Sequence, residues 1–179
     1  MGVPFGVPMV PLLLSLLLAG STGVPDGGTV VAKGQKFLAE VARTPEEQAM
    51  GLMHRQSLAK DRCMIFLYEQ DDHHSIWMKN CLIALDVVWI KADGTIVEVQ
   101  ENAPPCSPLR QGDCPTYGGT VPARHFVEFP VGTLRRLGLK TGDRLGWNLT
   151  LSDGKVVAGG LPVPADGVRG GKSGKKKKG

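Results

Sequence analysis

The apolar and polar side chains of this chain follow a pattern of short alternating stretches. The clearest stretch lies near the C-terminal end, where apolar residues occupy every second position; they are Leu145, Trp147, Leu149 and Leu151. Alternation with a period of two is typical of a strand that buries one face. Comparable short stretches between turn-forming residues predict strands over 29–32, 36–42, 64–68, 76–78, 85–90, 95–99, 124–129, 145–151 and 155–157.

One segment departs from this pattern and predicts a helix over about 45–52. Thr44, Pro45 and Glu47 have the spacing of a capping box with proline in the first helical turn. Gly51 limits the length of this helix, and a second helical turn is expected within 130–138. Short strands at 8–12-residue spacing with one or two short helices predict a mainly β, compact, single-domain fold of the sandwich or barrel type.

Length and composition fit one such domain with a different segment at each end. The 179 residues are 42% hydrophobic and 21% charged, as in globular proteins, and no solenoid repeat is visible. We predict a signal peptide over 1–21, a linker over 22–28, the folded domain over 29–158 and a disordered Gly/Pro/Lys tail over 159–179.

The N-terminal segment has the features of an export signal. Its leucine-rich run over 12–18 is too short to span a bilayer as a helix. Ala19 and Ser21 fit the small-x-small rule for cleavage, with the cut after Ser21. The sequence therefore predicts export to the periplasm or the cell exterior, with no membrane span in the mature chain.

The formal net charge of +4 comes from the tail. Six Lys or Arg residues and one Asp lie within 166–179, which leaves 15 positive and 16 negative residues in the remainder of the chain. A folded nucleic-acid reader would carry clustered basic residues on its structured elements. We therefore predict no nucleic-acid partner, and a solvated tail whose alternative role is contact with anionic envelope polymers or lipid headgroups.

Four cysteines allow three pairings. Cys106 and Cys114 flank a proline-rich polar loop that has no hydrophobic face of its own, so we predict a disulfide that orders it. The remaining pair, Cys63 and Cys81, is predicted to form a second disulfide. No cysteine belongs to a CxxC motif, which disfavours the alternative of a zinc site.

Several motifs together resemble one known family. They are GLMHR (51–55), MIF (64–66), WMKN (77–80), LD (85–86), APPC (103–106) and CPTY (114–117), with further agreement over 128–132 and 138–143. This combination, over about residues 28–150, is similar to the DUF192 family (COG1430). The resemblance implies a compact, mainly β fold, frequently with an export signal, and implies no reaction. The family usually has Gly at position 63 and often Thr at position 81, so the joint presence of two cysteines supports the Cys63–Cys81 pairing.

Asp86 is the most informative polar residue, because it lies inside the apolar stretch ALDVVW. A buried carboxylate needs a partner or loses its charge. One hypothesis is a cleft that binds a small polar or anionic ligand, with Trp77 stacking on a sugar ring; its residues are Arg55, Trp77, Lys79, Asn80 and Asp86. The alternative is an internal network that fixes the loop after Trp77, with Trp77 itself in the core.

The sequence favours a non-enzymatic module that binds a small polar ligand or an envelope component, as a monomer without a cofactor. No catalytic residue is predicted, because the common nucleophile, phosphate-loop and zinc-protease motifs are absent. One alternative is an envelope hydrolase that uses Asp86 with Lys79. A second is a metal-handling protein, with ligands drawn from Met50, Met53, Met64, Met78 and His54 or from the turn Asp71, Asp72, His73 and His74.

Overall fold

The computed structural model describes Gly2, residues 25–106 and residues 113–164. The predicted signal peptide, apart from Gly2, and the predicted tail beyond residue 164 lie outside the described residues. The strands are β1 (Gly27–Ala32), β2 (Gln35–Ala42), β3 (Arg62–Asp72), β4 (Ile76–Trp77), β5 (Leu85–Ile90), β6 (Ile96–Ala103), β7 (Thr116–Tyr117), β8 (Ala123–Pro130), β9 (Leu145–Thr150) and β10 (Val156–Gly160). The helices are α1 (Pro45–Met50) and α2 (Thr133–Leu137).

Eight strands form one curled sheet with the shape of a half-barrel, in the order β10-β9-β1-β2-β3-β8-β5-β6. Neighbours are antiparallel except β2 and β3, which run parallel because α1 and the loop after it cross between them. β4 and β7 form a separate two-stranded sheet. The mainly β, single-domain prediction is confirmed.

Alternation along the central strands divides the apolar residues into two clusters on opposite faces of the sheet. On β3, Cys63 and Ile65 belong to the first core cluster, whereas Met64 and Phe66 belong to the second. The first cluster also includes Phe37, Phe129, Leu134 and Trp147. The second includes Leu52, Met78, Cys81, Trp89 and Phe126. Of these residues, Leu52 follows α1, and Met78 and Cys81 follow β4, so segments outside the eight-stranded sheet complete this cluster.

Helix α1 begins with the predicted capping box. The Thr44 hydroxyl accepts from the Glu47 backbone N–H at 3.2 Å, and the Glu47 carboxylate accepts from the Thr44 backbone N–H at 3.0 Å. The helix ends at Met50 because Gly51 takes a positive φ of 44°. A Cβ at Gly51 would lie 3.1 Å from the Phe66 ring, so glycine lets the chain turn closely over the second cluster.

Several strands are longer than predicted: β6, for example, ends at Ala103 rather than at 99, and two further extensions enter segments that were expected to be a turn or a tail. β3 continues to Asp72, four residues beyond the strand predicted over 64–68 and into the segment 71–74 that was expected to form a turn. The extension is paired to β8 through an irregularity between Leu67 and Asp72, and Arg124 of β8 binds Asp71 at 2.6 Å. β10 extends to Gly160, two residues into the segment predicted as tail, because its backbone pairs with β9.

The cysteines follow one of the two predicted pairings. Cys106 and Cys114 form a disulfide with their Cα atoms 5.9 Å apart. The predicted Cys63–Cys81 disulfide is wrong, because both thiols are free and buried. Cys63 faces the first cluster and Cys81 belongs to the second, so the sheet separates them.

Within the described ranges, no helix combines the length and the apolar character needed to cross a bilayer.

Candidate functional site

Asp86 is buried, with 1% of its surface exposed, and both of its carboxylate oxygens are used by backbone groups. One oxygen accepts from the Asn102 N–H at 2.9 Å, and the other accepts from the Leu134 N–H at 2.9 Å. Leu134 lies in the first turn of α2, so Asp86 satisfies a helix-terminal donor that has no intrahelical partner. Asp86 is thus part of an internal network, but this network joins β5 to β6 and α2 rather than fixing the loop after Trp77, and Trp77 itself is 48% exposed instead of lying in the core.

Arg55 is directed to β2. Its guanidinium makes two parallel hydrogen bonds to the Glu40 carboxylate, at 2.8 and 2.6 Å. This bidentate pair raises the pKa of Arg55 further above its usual value. Since Asp86 and Arg55 each have their own partners, the structure does not join them into one polar cleft.

Trp77, Lys79 and Asn80 remain close together, because they lie in one short segment. The Lys79 ammonium sits 4.9 Å from the centre of the Trp77 ring, a cation–π distance. Asn80 takes a positive φ of 58°, and its carbonyl accepts from the His54 N–H at 2.9 Å. Lys79 therefore has Trp77 rather than Asp86 as its neighbour, and the contacts give no support to an Asp86–Lys79 catalytic pair.

A small pocket lies over the second cluster, between α1, the turn that follows it and strands β3 and β8. Its volume is about 100 Å³. Most of the residues that line it are apolar or aromatic, while polar atoms make up about half of its accessible surface; the lining comprises Gln48, Ala49, Met50, Gly51, Leu52, Met53, Phe66, Tyr68, Ser75, Ile76, Trp77, Cys81, Phe126 and Glu128. Most ligand sites share this arrangement of an apolar wall with few polar groups.

Glu128 is the polar group of this pocket that stands out. It is 6% exposed, and its Oε2 atom is buried without a hydrogen-bond partner. Met64 of β3 and Val87 of β5 flank it in register across the sheet. Burial among these apolar neighbours raises the pKa of Glu128 to about 8, because the charged form loses its hydration without a compensating partner.

Two other titratable groups line the pocket. Burial, with a further contribution from the charge of Glu128, raises the pKa of Tyr68 to about 12 and that of Cys81 to about 11. Both groups are therefore neutral at physiological pH. The Tyr68 ring stacks on His74, with the ring centres 3.7 Å apart.

The mouth of the pocket is apolar and open to solvent. Met50 at the end of α1 is 56% exposed, and Trp77 on β4 is 48% exposed. The Trp77 segment is fixed by backbone pairing: β4 pairs with β7, and Lys79 forms a β-bridge with Cys106, which is joined to Cys114 by the disulfide.

The proposed metal ligands do not converge. Met64 and Met78 are buried in the second cluster, whereas Met50 and His54 are exposed. Among the residues that the structure describes, no three His, Cys, Asp or Glu side chains come together as metal ligands, those of the 71–74 segment included.

Sequence reasoning singled out Asp86 and missed Glu128, although the same signal marks both. Glu128 lies in the apolar stretch FVEFP, as Asp86 lies in ALDVVW. The apolar neighbours of both acids in the sequence indicate that both are buried. Whether each carboxylate has a hydrogen-bond donor depends on which backbone amides the fold brings within reach. That information is not contained in either stretch.

Comparison with known proteins supports the family resemblance. The family model described as "Uncharacterized ACR, COG1430" (DUF192) matches residues 28–147. A "putative transcription regulator" from Sinorhizobium meliloti 1021 is 32% identical, with a TM-score of 0.59, over 68% of this chain and 92% of that one. A protein of unknown function from Novosphingobium aromaticivorans DSM 12444 is 34% identical, with a TM-score of 0.58, over 69% of this chain and 84% of that one.

No curated protein sequence matches the chain. The family model nevertheless covers most of its length, including the pocket and its glutamate. The chain therefore belongs to the DUF192 family.

Proposed function

We propose that this protein is a non-enzymatic binding module whose small-molecule site is the pocket over Glu128. The observation that carries the proposal is that Glu128, which lines a cavity with an exposed apolar mouth, has a buried carboxyl oxygen without a hydrogen-bond partner. Leaving a polar atom buried and unpaired costs free energy, and a ligand that reaches this atom recovers part of that cost. The apolar walls contribute contact area to the same ligand.

The size of the pocket limits what enters it. A cavity of about 100 Å³ corresponds to roughly three molecules of liquid water. The part of the ligand that is fully enclosed is therefore small, and any larger remainder rests on Met50 and Trp77 at the mouth. A head group of a larger envelope component fits this description as well as a free small molecule.

The chemistry of the lining favours binding over catalysis. Cys81 is protonated at physiological pH, which makes it a poor nucleophile. Among the described residues that form the lining, no histidine or second carboxylate accompanies Glu128. A single acid without a partner base or nucleophile lacks the usual pairing for hydrolysis.

We further propose that the protein works outside the cytoplasm. The Cys106–Cys114 disulfide supports this location, since stable disulfides belong to oxidising compartments. The leucine-rich N-terminal segment is consistent with it. A monomeric state and the absence of a nucleic-acid partner remain predictions.

A thermal-shift screen of the oxidised protein tests the pocket. The panel contains sugars, muropeptides, nucleotides, small anions, small amines, copper and zinc. A ligand at about 100 times its dissociation constant stabilises by ~2.7 kcal/mol, which raises the melting midpoint by several degrees.

Two variants of pocket residues and one control variant show whether a rise in the melting midpoint comes from binding in the pocket. We expect the shift to disappear in Trp77→Ala and Glu128→Gln and to persist in Leu38→Ala, which removes an exposed apolar side chain of β2 outside the pocket. A shift that survives both pocket variants, or a panel without any shift, would overturn the proposal.

A further inference from the structure

The carboxyl group in the pocket has no positively charged neighbour among the residues that the structure places around it. Its cross-strand neighbours, Met64 and Val87, are apolar. The titratable groups that face it are Tyr68 and Cys81, and neither carries a positive charge. In the part of the chain that the structure describes, no lysine, arginine or histidine lines the pocket. Among the described residues that line the pocket, Glu128 is thus a buried acid without a basic partner.

The walls around this acid are suited to a cation. Four aromatic rings line the pocket, those of Phe66, Tyr68, Trp77 and Phe126. The faces of aromatic rings attract ammonium groups, and tryptophan does so most strongly. The structure already contains one such contact, since the Lys79 ammonium lies over the Trp77 ring. The flexible, polarisable side chains of Met50 and Met53 also line the pocket and can contact methyl or methylene groups of a ligand.

We propose that the pocket binds a small organic cation, a primary or methylated ammonium group, with its charge against the Glu128 carboxylate and its carbon atoms against the aromatic walls. This inference rests on the proposed function, because it names the class of ligand for the same pocket. An anionic head group is disfavoured there, because it would meet an acid and no basic side chain. The ammonium belongs either to a free amine or to the end of a longer molecule that extends past Trp77.

Binding of a cation is coupled to loss of one proton. In the empty pocket at neutral pH, Glu128 holds its proton because nothing compensates its charge. When an ammonium ion enters, the Glu128 O–H bond breaks, the proton passes to solvent, and the carboxylate pairs with the ligand. The affinity should therefore rise by up to tenfold for each pH unit between pH 6 and 8.

Nuclear magnetic resonance titration of the oxidised protein tests this inference. The probes are trimethylammonium chloride and tert-butanol, which is similar in size and uncharged. We expect trimethylammonium to bind more tightly as the pH rises from 6 to 8, and tert-butanol to show no such trend. In ¹³C-labelled protein, the Glu128 carboxyl signal should move from its protonated to its ionised position as trimethylammonium saturates the pocket at pH 7.

Matched variants identify the acid. Glu128→Gln should weaken trimethylammonium binding at least tenfold at pH 8 and abolish its pH dependence. Glu69→Gln, which changes an exposed glutamate of β3, should behave as the wild type. If the Glu128→Gln substitution perturbs folding, the ¹³C carboxyl signal of Glu128 in the wild-type protein still shows whether this acid ionises when trimethylammonium binds.

The outcomes separate this inference from the proposed function. If tert-butanol binds as tightly as trimethylammonium, with no effect of pH, the pocket is a ligand site and the cation inference is wrong. If trimethylammonium leaves the Glu128 signal unchanged, the inference is also wrong, whatever the screen finds. Failure of the whole thermal-shift panel as well would overturn the pocket itself.

Discussion

At the scale of single residues, Asp86 and Glu128 are both carboxylic acids buried in apolar strands, but their neighbours differ. Asp86 accepts two backbone N–H groups, from Asn102 and Leu134. The Glu128 Oε2 atom has no donor. The first carboxylate is therefore part of the structure that holds α2 against the sheet, whereas the second belongs to a residue that lines the pocket and leaves one oxygen unpaired.

Replacing Asp86 with alanine should lower the free energy of unfolding by about 2–4 kcal/mol, because two buried backbone donors lose a charged acceptor. Urea denaturation at pH 7 measures this change. The control is Asp61→Ala, which removes an exposed carboxylate just before β3 and should change the stability by less than about 0.5 kcal/mol. If the Asp86 variant keeps its stability but loses ligand binding, the structural interpretation is wrong and Asp86 belongs to the functional site.

At the scale of elements, signals that act over a few residues predicted the structure well. The capping box at Thr44, the alternation over 145–151 and the short loop closed by Cys106 and Cys114 are all confirmed. Each of these depends on groups that lie within about ten residues of one another. Local chemistry was therefore sufficient to predict them.

Features that depend on distant segments could not be predicted in the same way. Arg55 binds Glu40 because the parallel β2–β3 crossover brings the two together. Glu128 lines a pocket because the turn after α1 covers the sheet above it. Cys63 and Cys81 stay apart because β3 turns Cys63 toward the first cluster. Pairing, register and sheet face decide these results, and none of them is encoded in a short stretch.

The positions of the cysteines in the fold predict how many thiols react with an alkylating reagent. In the folded, oxidised protein we expect no alkylation within minutes, because Cys63 and Cys81 are buried and burial raises the pKa of both thiols. After denaturation without reductant, two thiols should react, and after reduction all four. Intact-protein mass spectrometry gives the count.

A control variant assigns the sites. Cys63→Ala should reduce the count by one under both denaturing conditions, while the folded protein remains unlabelled. A count of zero in the denatured, unreduced protein would mean that Cys63 and Cys81 are joined after all.

At the scale of the whole molecule, two buried groups give the stability opposite dependences on pH. Glu128 has a raised pKa of about 8, so its contribution is fully present below the unfolded value near 4.5 and is lost as the pH rises to 8. His125 accepts from the Tyr68 N–H, and burial lowers its pKa to about 4. Its contribution is present above the unfolded value near 6.5 and is lost as the pH falls toward 4.

Together, the contributions of Glu128 and His125 predict how the free energy of unfolding changes with pH. The opposing slopes cancel between about pH 4.5 and 6.5, and the stability then falls by about 1.4 kcal/mol per unit up to pH 8. Urea midpoints across this range measure the profile. Glu128→Gln should remove the fall above pH 6.5 and reveal the rise below it, whereas Glu69→Gln should retain the wild-type profile. A fall that persists in Glu128→Gln would show that another group is responsible.

The position of β1 in the sheet has a consequence for how the protein is made. β1 lies between β2 and β9, and Gly27 pairs with Thr150, more than a hundred residues later in the chain. A ribosome adds about 5–20 residues per second, so one edge of β1 waits on the order of ten seconds for its partner to be synthesised. The half-barrel therefore cannot be completed until nearly the whole chain has emerged. Export as proposed above requires an unfolded chain, and this delay in completing the half-barrel would keep the chain in that state.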